Sequence, residues 1–190
     1  MHDPSRWADK IWFYYPINYP PEKYYNLMKG FIDKVASLGE VILEMGCGSA
    51  LASITIKQLH PEQVVMACDI NPKVIEYARE RIKFFKLNID VANTDAFTTI
   101  YSNIDVLFTE GLLEHYDPGV RIKMLQHWLG IAKYIVIQVP TEEDLNQGGG
   151  YMDEQKHSYQ CWSNFIKNSF NVIEEFGDIY KYNCVLTKNE

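Results

Sequence analysis

Residues 41–50 read Val-Ile-Leu-Glu-Met-Gly-Cys-Gly-Ser-Ala, and this segment constrains the fold more than any other. An apolar run the length of one buried strand breaks into two glycines. The spacing of Leu51, Ile54 and Leu59 then predicts a helix from about Ala50 to His60. The same alternation continues. Val64 to Cys68 is a second buried strand ending at Asp69, and Asn71-Pro72 opens a helix with Val74, Ala78, Ile82 and Phe85 on one face. Ile89 to Ala92 is a weaker strand before Asp95, and Asp105 to Thr109 is a fourth. Asp117-Pro118 starts a helix with Met124, Trp128 and Ile131, and Tyr134 to Val139 is a fifth strand stopped by Pro140. After a loop containing Gly148, Gly149 and Gly150 comes a helix with Tyr159, Trp162, Ile166 and Phe170 facing inward. Val172 to Phe176 and Ile179 to Leu186 then flank a Gly-Asp turn. Strands alternating with helices predict an α/β fold: a doubly wound, mostly parallel seven-stranded sheet with helices on both faces and a C-terminal antiparallel hairpin.

At 190 residues and 47% hydrophobic, the chain is expected to be a single domain, 1–190. Residues 1–38 form an aromatic-rich N-terminal lid and helix, and 39–190 the core. In the first part, Tyr24, Leu27, Met28, Phe31 and Val35 recur at helical spacing after Tyr19-Pro20-Pro21-Glu22, and Gly39 closes the segment. No run reaches ~18 apolar residues and no secretory leader is recognisable, so a cytoplasmic protein without membrane contact is expected. The four scattered cysteines then read as free thiols. The net charge of −7 argues against a nucleic-acid partner, and the basic stretch Lys73 to Lys86 reads as a solvated helix face.

Gly46 and Gly48 let the backbone approach a ligand where a helix N-terminus offers unpaired N–H groups. The dinucleotide fingerprint GxGxxG requires glycine at 51, where Leu51 stands, which counts against NAD or FAD. Asp69, 23 residues beyond Gly46, stands at a strand end suited to holding ribose hydroxyls. Taken singly, Glu44 also suits a strand end and Asp69 the N-cap of the following helix. Cys47 reads as a small buried thiol, with no neighbouring histidine to activate it.

In register, these motifs resemble those of the class I S-adenosylmethionine-dependent methyltransferases, from about Glu40 to the C-terminus. Val41 to Ala50 looks like the family's first motif, with Glu44 as its acid and Ala50 replacing its third glycine. Asp69-Ile70-Asn71 matches the ribose-binding acid and the apolar residue against the adenine. Thr94-Asp95-Ala96-Phe97 looks like the adenine-binding motif, with Asp95 accepting from the exocyclic amine and the Ala96 N–H facing the ring. The resemblance implies S-adenosylmethionine as cofactor, S-adenosylhomocysteine as product, and Glu44, Gly46, Cys47, Gly48, Ala50, Asp69, Ile70, Asp95, Ala96 and Glu110 around them.

On the acceptor side, Leu112-Leu113-Glu114-His115 resembles a segment of certain O-methyltransferases in which Glu-x-x-Glu-His helps hold a divalent cation. Gly111 replaces the first glutamate, so the expectation is no metal. His115 and His157, with Glu114, are the candidates to position or deprotonate an acceptor, since a near-neutral imidazole suits a general base. Trp12, Tyr14, Tyr15 and Tyr19 would close over the sulfonium. The expected activity is methyl transfer to a small-molecule acceptor by a monomer or homodimer. The alternatives are a protein or RNA methyltransferase working with a partner subunit, and a non-catalytic cofactor-binding scaffold.

Overall fold

A computed structural model describes residues 15–99, 101–149 and 154–188. Trp12 and Tyr14 lie outside the described residues. Seven strands, β1 (Val41–Met45), β2 (Val64–Asp69), β3 (Asp90–Asn93), β4 (Ile104–Glu110), β5 (Ala132–Pro140), β6 (Asn171–Gly177) and β7 (Lys181–Thr187), form one sheet in the order β3-β2-β1-β4-β5-β7-β6. The first five pair in parallel, while β7 runs antiparallel to both β5 and β6. The predicted sheet and terminal hairpin are therefore both present. Chain order reverses between β1 and β4, and the crevice beyond the carboxyl ends of these strands is where such sheets take ligands.

Helices cover both faces. On one, α1 (Pro21–Ser37), α2 (Leu51–Leu59) and α3 (Pro72–Phe84) pack Phe31, Ile32, Val35, Ile54 and Ile75 against Ile42, Val65, Val106 and Phe108 of the strands. On the other, α4 (Pro118–Ile131) and α5 (Tyr159–Lys167) pack Met124, Leu125, Trp128, Trp162 and Ile166 against Leu43, Leu107, Ile135 and Ile137. Consecutive strand residues such as Ile42 and Leu43 go to opposite faces, so near-continuous apolar strands are what a sheet covered on both sides requires. Pro72 sits in the first turn of α3, and the Asn71 side chain accepts from the Lys73 N–H at 3.0 Å, capping that helix. Ser158 caps α5 through the Cys161 N–H at 3.2 Å.

Two expectations about helix faces need correction. Leu27 is 73% exposed while Ile32 is fully buried, so the buried stripe of α1 is Tyr24, Phe31, Ile32 and Val35. The Lys73–Lys86 stretch is not a uniformly solvated face, because Arg81 within it is fully buried. Its guanidinium donates to the carbonyls of Tyr15, Pro16 (2.6 Å) and Ser49 (3.3 Å), tying the chain before α1 to the glycine turn. The Tyr77 hydroxyl donates to the same Tyr15 carbonyl. Among the described residues, no helix is long and apolar enough to cross a membrane.

Candidate functional site

The carboxyl ends of β1, β2, β4 and β5 open into a cavity of ≈ 800 Å³. At its floor the β1–α2 turn alternates into the left-handed region, with φ of 70° at Gly46, 50° at Gly48 and 55° at Ala50. Within this turn the Cys47 N–H donates to the Cys68 carbonyl (2.9 Å), the Gly48 N–H to Asp69 Oδ2 (3.1 Å) and the Ala50 N–H to the Cys47 carbonyl (2.7 Å). Ala50 holds a conformation that favours glycine, which is the physical content of its departure from the family's third glycine. It is fully buried and is not on the cavity wall, unlike Gly46, Cys47 and Gly48. Cys47 is a buried free thiol whose pKa is pushed well up, mainly by burial.

Glu44 is the penultimate residue of β1, its Oε2 accepting from the Ser53 N–H (3.1 Å) and the Ser53 hydroxyl (2.5 Å). Burial pushes its carboxyl up to about 8; the Ser53 bonds oppose this, and Glu110 and Asp69 add like charge. Asp69 ends β2 and bridges two loops, its Oδ2 accepting from the Gly48 N–H (3.1 Å) and its Oδ1 from the Asn71 N–H (2.9 Å). Asp95 accepts from the Phe97 N–H at 2.8 Å. Glu44, Asp69, Ile70, Asp95 and Ala96 all line the cavity, so the structure brings together the acids and flanking residues picked out by motif.

The cavity lining also includes Glu110, Glu114 and His115. Glu110, at the end of β4, accepts from the Tyr24 hydroxyl of α1, and burial raises its pKa. A short helical turn, 113–115, follows β4 and turns Glu114 and His115, both buried, into the cavity. Tyr15 also lines it, with Tyr19 packed edge-on against the Tyr15 ring at 5.3 Å but off the wall. His157 is not on the wall. Its ring packs edge-on against Trp162 at 5.2 Å, with Nδ1 3.5 Å from the Cys161 sulfur, and burial lowers its pKa.

Motif reading passes over Tyr24, Asp144, Glu154 and Lys181, all on the wall. Tyr24 is also part of the core; nothing in the chain spacing signals that its hydroxyl reaches Glu110, 86 residues away. Lys181 pairs with Asp144 at 2.6 Å. Among the described residues lining the cavity, eight carboxylates face this one lysine.

Residues 42–133 match the methyltransferase domain family. The ribosomal protein L11 methyltransferase of Thermosipho africanus is 27% identical over 84 residues, 44% of this chain and 32% of that protein. Carboxy-S-adenosyl-L-methionine synthase of Campylobacter curvus is 20% identical over 156 residues, 82% of this chain and 61% of that protein. The chain thus spans less than two thirds of the length of these curated relatives. Among solved structures, the PH0226 protein from Pyrococcus horikoshii superposes with a TM-score of 0.74 at 16% identity, over 93% of this chain and 95% of that one. Magnesium protoporphyrin IX methyltransferase from Synechocystis, with bound S-adenosylmethionine, gives 0.70 at 13% identity, over 97% and 91%. At those identities the superpositions establish the fold alone, and the similarity to the methyltransferase domain family lies in residues 42–133, just under half of the chain.

Proposed function

We propose that the chain transfers a methyl group from S-adenosylmethionine to a small-molecule acceptor. The cofactor occupies the half of the cavity bounded by the glycine turn, Glu44, Asp69, Ile70, Asp95 and Ala96. Asp69 takes the ribose hydroxyls and Asp95 the adenine amine. The acceptor enters the half bounded by Tyr15, Glu110, Glu114 and His115, where Glu114 and His115 position it. Methyl transfer from a sulfonium is an in-line displacement, so alignment of the acceptor is the main catalytic demand. His157, packed against Trp162, is left a structural part.

The observation that carries the small-molecule reading is the charge of the cavity. Eight carboxyl groups line it against one lysine; burial favours the protonated forms of Glu44, Glu110 and Glu114, and the other five still outnumber the lysine and repel a phosphodiester backbone, while ≈ 800 Å³ is the size of a small-molecule site. The chain's similarity to protein and RNA methyltransferases over part of their length supports a second reading, a macromolecular acceptor. Incubating the chain with isotopically labelled S-adenosylmethionine and a cell extract separated into small-molecule, protein and RNA fractions decides between them. The label is expected in the small-molecule fraction; label confined to protein or RNA refutes the proposal.

A further inference from the structure

We propose that Glu114, His115 and Glu154 form a binding site for a divalent transition-metal ion in the acceptor half of the cavity. The proposal rests on the placement of the acceptor in that half and specifies what holds it there. One ligand atom from each residue lies within 4.8 Å of the other two, two carboxylate oxygens and an imidazole nitrogen. Metal–ligand bonds of about 2.0–2.2 Å bring neighbouring donors to roughly 3 Å, so small side-chain movements close the set. All three residues line the cavity, which leaves further coordination positions facing the acceptor.

A second observation points to a ligand there. Glu114 is only 1% exposed, and its Oε2 accepts no hydrogen bond from any described residue. A carboxylate oxygen buried without a donor is costly, and a bound cation removes that cost. The basic groups nearby are committed elsewhere. Arg121 donates from Nε to the Leu113 carbonyl (2.8 Å) and from Nη2 to Gln155 Oε1 (2.9 Å), with its guanidinium over the Trp162 ring, and Lys181 pairs with Asp144.

The site is also built rather than accidental. Gln155 donates its N–H to the Glu114 carbonyl (3.0 Å), accepts from Arg121, and donates from Nε2 to Asp117 Oδ1 (3.2 Å). These three bonds hold its neighbour Glu154 beside Glu114. Counting donors around Gly111 alone gives an incomplete set, because the third ligand arrives from a segment 40 residues beyond Glu114. Two carboxylates and one imidazole suit Mn²⁺ or Zn²⁺ better than the all-oxygen shell preferred by Mg²⁺ or Ca²⁺.

The test is calorimetric titration of the chelator-treated full chain with Mn²⁺ and with Zn²⁺, alongside a titration with S-adenosylhomocysteine in the absence of metal. One equivalent of at least one ion is expected to bind. Glu154→Gln is expected to weaken it by about ten-fold or more, while S-adenosylhomocysteine affinity stays unchanged. Glu154 is partly exposed, so this variant tests the site without the folding risk of changing buried Glu114. The paramagnetic spectrum of Mn²⁺ supplies an independent readout: immobilised in the wild type, free in the variant. No binding of either ion, or equal binding by wild type and Glu154→Gln, overturns the site. Metal binding without S-adenosylhomocysteine binding leaves the site standing and refutes the cofactor assignment instead.

Discussion

Asp69→Ala is expected to weaken S-adenosylmethionine and S-adenosylhomocysteine equally, and the structure sets the size of the effect. The carboxylate already has two tasks before any cofactor arrives. Oδ2 holds the Gly48 N–H at 3.1 Å and Oδ1 the Asn71 N–H at 2.9 Å, joining the glycine turn to the cap of α3. The proposed ribose hydroxyls add donors to the same two oxygens. A hydrogen bond to a charged group contributes about 1.5–3 kcal/mol, which corresponds to a loss of roughly 10- to 150-fold in affinity. Both ligands carry the same ribose, so the loss is the same for both. The two N–H anchors released at the same time cost stability separately, about 1–3 kcal/mol. Thermal unfolding of the free variant therefore has to accompany the calorimetric titration, carried out where the variant is folded. Asp69→Asn sharpens the experiment. It keeps one acceptor oxygen but must turn an NH₂ group toward either Gly48 or Asn71, so it recovers only part of the affinity. A folded Asp69→Ala variant that binds S-adenosylhomocysteine within about two-fold of wild type refutes the ribose assignment. A loss confined to S-adenosylmethionine would move Asp69 to the sulfonium.

The raised Glu44 pKa, about 8, means the folded state holds a proton that the unfolded chain releases near 4.5. Stability from this group is full below about pH 4.5 and is lost as pH rises toward 8, by up to roughly 1.4 kcal/mol per pH unit; Glu44→Gln should flatten that decline in thermal unfolding curves. Because the ionised form favours a cationic ligand, S-adenosylmethionine affinity should rise over the same pH range with measurable proton release, and a flat profile would refute this. Arg81→Met removes the donor shared by the Tyr15, Pro16 and Ser49 carbonyls, and should cost about 2–4 kcal/mol of stability and speed amide exchange at Tyr19; an unchanged Tm would refute the clamp. At Gly39 an added Cβ would run into the Asp105 side chain, whose carboxylate holds the Glu40 and Val41 N–H groups, so Gly39→Ala should lose about 1–3 kcal/mol in denaturant unfolding.

Strand and helix order was legible because burial on both sheet faces forces long apolar runs, and the glycine turn marks where the first of them ends. Local periodicity reached less far into which face each helix buries. Tyr24, Phe31, Ile32 and Val35 form the buried stripe of α1, with Met28 partly buried beside it, and Leu27 falls outside although it is as apolar as the rest. Arg81 was illegible for a different reason. Its partners are backbone carbonyls as much as 66 residues away, and a carbonyl acceptor leaves no mark in residue identity. The cofactor-side acids stood at strand ends, where chain position alone fixes their direction. Glu154 and Tyr24 reach the cavity only through tertiary docking, by Gln155 against the Glu114 turn and by α1 against β4. His157, beyond the fifth strand like Glu154, was turned instead onto the Trp162 ring. Topology places a segment near the crevice but does not decide which of its side chains enters.

The cavity's charge connects these separately placed residues to the proposed reaction. In the proposed reaction S-adenosylmethionine brings a sulfonium into a space lined by Glu44, Asp69, Asp95, Glu110 and Glu114. During transfer the positive charge moves with the methyl group from sulfur toward the acceptor. At the proposed acceptor end Glu110 and Glu114, whose protonated forms burial favours, are in place for it once ionised, and preorganised charge costs no reorganisation at the moment of reaction. Glu110 is well suited to that duty because the Tyr24 hydroxyl holds its carboxylate from α1. After transfer the sulfur is neutral, and the carboxylates no longer attract it. The same charge distribution that draws the cofactor in therefore loosens its product.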